Sequence, residues 1–535
     1  MKLRLFPVLV LFFAVFIACA ACSKRESAVS GPATETPVGR YPVETSSTLR
    51  YWLGLELNTS ANFSNLGDTP FAAGLKKRTG ISVNYLHPPI GPGSREQLNL
   101  MIADGTNLPD IIEWNWLTYP GGPTKAIEDG VLLRLNNVID QYCPNLKAFL
   151  AEHPDYDRMI KTDDGSYYAF PFIRMGETTL YTQGLVIRKD WLDELGLEPP
   201  ATLDDWYNTL VAFRDRKKCP NPFTLIFSNN ERMFVETFGL LKNFHIKAGT
   251  GRIHWGRIEP EYRDWLSVMN RWYREGLIDP DMLSNQTPQI AQKMTSGSAG
   301  ATIASVGSGI GTWTNSARSS NPSYKLMAVS APQRAKGQPV IYGIPNSIYV
   351  GQSVAITASS KNAEIAARYL DYGYSSAGHM YYNFGTEGET YHMVDGEPVY
   401  TDLVLNSPRG WSVGQALSAY TKAVVGGGAM ALDNAVNPQY YTLPEQKAAL
   451  SAYNTPGSGS YLLPPLTPTQ DESRELAIIM NEIDTYSEEM ITKFILGTET
   501  LNDTTWNNYV NTIKRLNIDK ALAIQNAAYD RYNRR

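Results

Sequence analysis

The residues best suited to chemistry in this chain stand in the stretch LPDIIEWNWLTYPGGP, Leu108 to Pro123. An apolar run, Ile111-Ile112, leads into Trp114-Asn115-Trp116, then Tyr119 and a Pro-Gly-Gly-Pro turn. In an extended chain Trp114 and Trp116 share a face and Asn115 points the other way. The glycines and prolines mark a surface loop, where binding residues concentrate. Two indoles there offer flat apolar faces, and the amide between them offers hydrogen bonds. That pairing suits noncovalent capture of a flat ligand or a sugar ring. Core packing is the competing reading of the same aromatics.

Reactive motifs are missing. No Gly-x-Ser-x-Gly elbow, CxxC or HExxH occurs. Gly307-Ser308-Gly309-Ile310-Gly311 lacks the GK[ST] ending of a phosphate loop and the G-x-G-x-x-G spacing. The 6 histidines are scattered, so no metal site and no cofactor is expected. Asp163-Asp164-Gly165 reads as a turn rather than a calcium loop.

With 535 residues, 43% hydrophobic and 19% charged, the chain is too long for one core. The net charge of −5 and the absence of a basic run give no nucleic-acid surface. Lys2 and Arg4 precede an apolar stretch, Leu5 to Ile17, too short to span a bilayer as a mature helix. Ala20-Ala21-Cys22 resembles the lipobox of bacterial lipoproteins, which implies cleavage after residue 21 and lipidation of Cys22. Cys19 is the alternative acceptor, and an ordinary secretory signal is the alternative reading. An exported chain follows either way, and lipidation would place it on the outer face of the cell membrane. Residues 22–47 read as a flexible tether. Cys143 and Cys219 remain, as a disulfide or as two separate thiols.

The elements that must position these residues alternate. Strands are expected over Leu49–Leu57, Ile81–Leu86 and Asp110–Glu113, with helices over Phe71–Arg78 and Arg95–Asp104. This is an α/β lobe with a largely parallel sheet, and ligands gather at the carboxyl ends of such strands. The loop from Asn58 to Gly67 and the Trp114 loop sit at those ends. A second α/β lobe begins at the strand Gly184–Arg188. Gly196 stops the helix after it, and Thr202 caps the next. A strand over Ala299–Ala304 precedes the glycine-rich loop that ends at Trp313. The tail is helical, with apolar faces Leu476, Ile479, Met480, Ile483, Tyr486 and Trp506, Tyr509, Val510, Ile513, the latter capped by Asp503.

Four segments in order, Val186–Leu197, Gly276–Asp281, Gly385–Tyr391 and Phe494–Gly497 with Tyr529–Tyr532, resemble the extracellular solute-binding lipoproteins of ABC importers, the sugar-binding family 1 group. The resemblance implies a two-lobed periplasmic-binding-protein-like fold of type II. Lobe 1 would hold residues 48–171 and about 352–400, and lobe 2 residues 172–351 and about 401–535. The crossovers fall at Ala169–Pro171 and near Tyr342–Gly351. The implied function is capture of a carbohydrate, an oligosaccharide given the chain length, by a monomer that delivers it to a membrane permease. Trp114, Trp116, Trp313 and Trp411 are then candidate sugar platforms. Glu56, Asn58, Asn62, Asn115, Arg174, Glu177 and Glu387 are candidate polar contacts. Covering on the order of 100 Å² of sugar C–H surface yields roughly 2.5 kcal/mol. Alternatives are the same fold binding a peptide or polyamine, a surface lipoprotein without a transporter, and an exported glycosidase or lyase. The last lacks a recognisable pair of opposed carboxylates.

Overall fold

A computed structural model describes residues 35–535, apart from 91–92, 228–233, 344, 350 and 425. Cys19, Cys22 and the export segment lie outside the described residues. Among the described residues no helix is long and apolar enough to cross a membrane.

Strand Thr48–Trp52 lies between Ser82–Leu86 and Ile111–Asn115, both parallel to it, and Gln352–Ile356 adds antiparallel beyond the latter. The connecting helices end where the sequence stops them. Thr69 caps Pro70–Thr79, and Gly80, at φ 77°, closes it in the left-handed region that glycine adopts without strain. The second sheet runs Leu326–Val329, Gln183–Arg188, Ala299–Ser305, Asn221–Phe223. It is mainly antiparallel. Thr202 and Asp205 form a capping box ahead of Leu203–Arg216. In the tail Asn502, not Asp503, caps Asp503–Arg515, because its side chain accepts from the Thr505 N–H.

Separate cores fill the lobes. The first gathers Leu49, Ile112, Trp116, Phe170, Val354 and Leu370. The second gathers Trp206, Trp265, Phe494 and Tyr509. A satellite cluster under the second sheet holds Trp313 and Tyr453. Val404, Leu417, Met430 and Val436 belong to the first core. The first lobe's last contribution therefore runs to Val436, beyond the expected limit near residue 400. A strand makes the difference: Met430–Leu432 pairs parallel to Phe172–Arg174 at the crossover. The chain thus crosses a third time, after Val436. Residues 170 and 173 also bridge to 354 and 349, which ties the first two crossovers together.

Cys143 and Cys219 are free buried thiols, one in each lobe's core. Burial pushes both thiols up, Cys219 to about 11.

Candidate functional site

The carboxyl end of the first sheet carries the densest chemistry. Strand Thr48–Trp52 stops at Trp52, opposite Ile112, so Glu113, Trp114 and Asn115 extend past it. Trp114 is half-buried, with its ring centroid 6.0 Å from that of Trp52 and the planes 55° apart. Asn115 ends the strand. Its Oδ1 accepts from the Leu117 N–H at 3.2 Å and caps the short turn Trp116–Thr118. That turn breaks the period-two alternation and rotates Trp116 inward. Trp116 is 0% exposed in the first core. The expectation that both indoles form one exposed platform is corrected: Trp114 alone faces outward.

Behind Trp114 sits a buried ion pair. Glu113 and Lys422 are each 5% exposed, with Nζ and Oε2 3.6 Å apart. The Tyr51 hydroxyl donates to Glu113 Oε2 at 2.7 Å. Burial, and then the Glu113 charge, hold that phenol well above its ordinary range. Residues 426–428 are glycines, and the last two lie against the pair. A Cβ on Gly427 would stand 2.4 Å from Glu113 Oε1, and one on Gly428 3.2 Å from Lys422 Cε. The glycines let the backbone approach this closely.

Glu56 is exposed at the start of the helix Leu57–Ser60. Partial desolvation raises its carboxyl above the usual range, Lys422 opposes the rise and Glu113 adds to it. Asn58 lies against Gly414, where a Cβ would be 3.2 Å from Asn58 Nδ2. That contact brings in Trp411, half-buried, with Phe63 edge-on at 5.8 Å and the Arg409 guanidinium 4.8 Å above its ring. Asn62 is exposed beside the same helix. Trp411, Glu56 and Asn58 thus join Trp114 on one lobe, although residues beyond about 401 were expected on the other.

His87 completes this end of the sheet. Its Nδ1 is 2.9 Å from the Leu53 carbonyl and its Nε2 accepts from the Leu66 N–H at 3.1 Å. Both contacts require the neutral imidazole with the proton on Nδ1. Burial lowers its pKa from 6.5, the Leu53 carbonyl opposes this and Lys422 adds to it. The folded pKa lies below the unfolded one. The stability from neutral His87 is therefore complete above about pH 6.5 and is lost as pH falls through the depressed value. Denaturant unfolding at about pH 7 and about pH 5 should show a smaller acid loss in His87→Gln than in the parent. An equal loss would mean that His87 does not carry this dependence.

The remaining candidates lie elsewhere. Trp313 is 7% exposed and packs in the satellite core of the second lobe. The glycine-rich run before it is a π-helical turn, Val306–Gly311, which feeds the helix Thr312–Arg318 and directs the indole inward. Arg174 serves the crossover: its Nη1 donates to the Ser347 carbonyl at 3.0 Å, and burial lowers its pKa. Glu177 accepts from Asn454 at 2.6 Å next to that crossover. Glu387 is exposed in a turn that Gly385 and Gly388 form at φ 88° and 81°. The adjacent Thr386 accepts from Arg78, at the far end of the helix that leaves the site, so Glu387 is remote from the cluster. Sequence reading missed Lys422, Tyr51 and His87. It also missed Glu113, whose signal was an acid inside an apolar strand. Among the described residues no cluster of three or more His, Cys, Asp or Glu side chains is placed to hold a metal.

A side-facing indole, a second half-buried indole and a mixed set of amides, carboxylates and imidazole can hold a ligand by stacking and hydrogen bonds. Known proteins share the sequence and fold over nearly the whole chain. Along 98% of this chain and 97% of its own length, the fructooligosaccharide ABC transporter substrate-binding protein FusA of Streptococcus pneumoniae serotype 4 (strain ATCC BAA-334 / TIGR4) is 25% identical. A crystal structure of alginate-binding protein AlgQ2 without calcium ion is 26% identical, with a TM-score of 0.69 over 90% of this chain and 98% of that one. The S. pneumoniae FusA structure in complex with kestose shares the fold, at 22% identity and a TM-score of 0.70 over 91% of this chain and 99% of that one. The model of the bacterial extracellular solute-binding protein family matches residues 64–380. This chain belongs to that family of bacterial extracellular solute-binding proteins.

Proposed function

We propose that this protein is the oligosaccharide receptor of an ABC importer, anchored outside the cell by a lipid on Cys22, acting as a monomer and without catalysis of its own. The observation that carries the reading is the Trp114–Trp52 pair beside the Glu113–Lys422 pair, at the carboxyl end of the first sheet. Supporting it, a relative named for fructooligosaccharide matches nearly the whole chain. A pyranose or furanose ring presents a C–H face to Trp114 and Trp411, and its hydroxyls bond Glu56, Asn58, Asn62 and the free amide hydrogens of Asn115. Trp116 and Trp313 shape the walls from inside the cores. The second lobe closes over the ligand about the crossovers, the motion expected of a hinged pair of lobes, and the closed form is what a permease engages.

The test is thermal unfolding of the Ser23–Arg535 protein against fructooligosaccharides, uronate oligosaccharides and neutral glucans, with peptides and polyamines as controls. Ligand at one hundred times its Kd adds about 2.7 kcal/mol. A shift with one glycan class is expected. A response to peptides or amines alone would keep the fold and discard the oligosaccharide reading.

A further inference from the structure

Away from the cleft, the end of the chain reaches across to the first lobe. The hairpin turn at Asp163 belongs to that lobe: Asn136 donates to the Gly165 carbonyl and accepts from the Tyr167 N–H, and Ile160 and Tyr168 enter the first core. The last helix, Ile518–Tyr532, belongs to the second lobe, where Ile518 and Ala521 join the core and Asn526 pairs with Ile253. Between them, Arg531 Nε donates to Asp163 Oδ2 at 2.6 Å. Arg535 donates to Asp163 Oδ1 from Nε at 3.0 Å and from Nη2 at 2.6 Å. Arg535 also donates to the Lys161 carbonyl at 2.5 Å, and its side chain is 3% exposed. Thr467, on the segment leading into the helix Gln470–Leu496, accepts from the Asp163 N–H at 3.1 Å and from Arg535 at 2.7 Å. Glu472 on that helix takes the other face of Arg531, at 3.0 and 2.5 Å.

This is not an exposed pair of little worth. One carboxylate is shared by two guanidiniums, and each nitrogen of both guanidiniums has at least one acceptor, the kind of added bonding that helps a sheltered ion network hold its geometry. Its position gives it leverage. Asp163 stands five residues before Tyr168, whose hydroxyl meets that of Tyr349 at 2.6 Å where the first two crossovers touch. We propose that Asp163, Arg531 and Arg535 form a non-covalent tie across the lobes, beside the pivot, which fixes the angle from which the lobes close. Three covalent crossovers alone permit a wider range of angles. The tie narrows that range without touching the ligand.

The tie is testable in the ligand-free Ser23–Arg535 protein, so the result is independent of which solute binds. Nitroxides on Lys77→Cys in the first lobe and Asp204→Cys in the second report the interlobe distance by pulsed electron resonance; both native cysteines are buried. Asp163→Asn should broaden the distance distribution, roughly twofold in width, as additional lobe angles become populated. Arg531→Gln should do the same, and serves where Asp163→Asn does not fold. Asp530→Asn, on the same helix but paired with Arg252 inside the second lobe, should leave the distribution as in the parent. An unchanged width in folded Asp163→Asn or Arg531→Gln would overturn the proposal. Equal broadening in Asp530→Asn would overturn it too, because the effect would then come from a weakened helix.

Discussion

Alanine at Glu113 should lower the unfolding free energy of the first lobe by about 3–5 kcal/mol, the cost of leaving a buried charge without its counter-ion. Lys422 is 5% exposed and its ammonium has Glu113 at 3.6 Å. With the carboxylate gone, water cannot reach the ammonium without opening the glycine segment above it. Tyr51 loses the acceptor of its 2.7 Å bond in the same step. Lys422→Met should cost a similar amount, because Glu113 then stays buried without its cation. The double variant Glu113→Ala, Lys422→Met removes both desolvation penalties together. It should be much closer to the parent than the sum of the single changes, a coupling on the order of 2–3 kcal/mol. Denaturant unfolding followed by the first lobe's tryptophans measures all three. Additive losses would mean that the two charges do not depend on one another, and the site would have no rigid floor.

The parts of this fold that were legible in the sequence are those set by local rules. Thr202 with Asp205 and Gly196 specify a helix start and a helix stop through their own backbone contacts. The first sheet follows from alternation of apolar residues between glycine stops. The direction of an aromatic side chain is a different kind of quantity. Trp114 and Trp116 differ by one hydrogen bond, from Leu117 to Asn115, which ends the strand and reverses the facing of the second indole. Trp313 turns inward because six residues before it wind as a π-helical turn instead of a loop. Neither outcome has a period or a motif. The Glu113–Lys422 pair is hidden for another reason: its members are far apart in the chain, and a lysine before a glycine run reads as a solvated loop. The third crossover was missed because a short strand, Met430–Leu432, acquires its place only by pairing with Phe172–Arg174. Contacts between distant segments determine the site, whereas contacts between neighbours determine the elements that carry it.

The same distinction separates the two indoles by experiment. Trp114→Ala should weaken binding of the most stabilising oligosaccharide by roughly 30–100-fold, the loss of a central aromatic anchor worth about 2–3 kcal/mol. Trp114 is half-buried and packs on one side against Trp52, so its removal takes away a face that the ligand needs while most of the core contact remains. Trp116→Ala should behave in the opposite way. Its ring is 0% exposed, and emptying that volume should cost about 3–5 kcal/mol of stability. Below the unfolding transition its affinity should stay near that of the parent, because no ligand atom touches the ring. Trp116→Phe retains most of the volume and supplies the same comparison where the alanine variant does not fold. Calorimetric titration and denaturant unfolding of each variant give the two numbers. If Trp116 variants lose affinity while Trp114→Ala keeps it, the inward turn at Asn115 does not describe the ligand-bound protein, and the platform lies on the other side of the strand end.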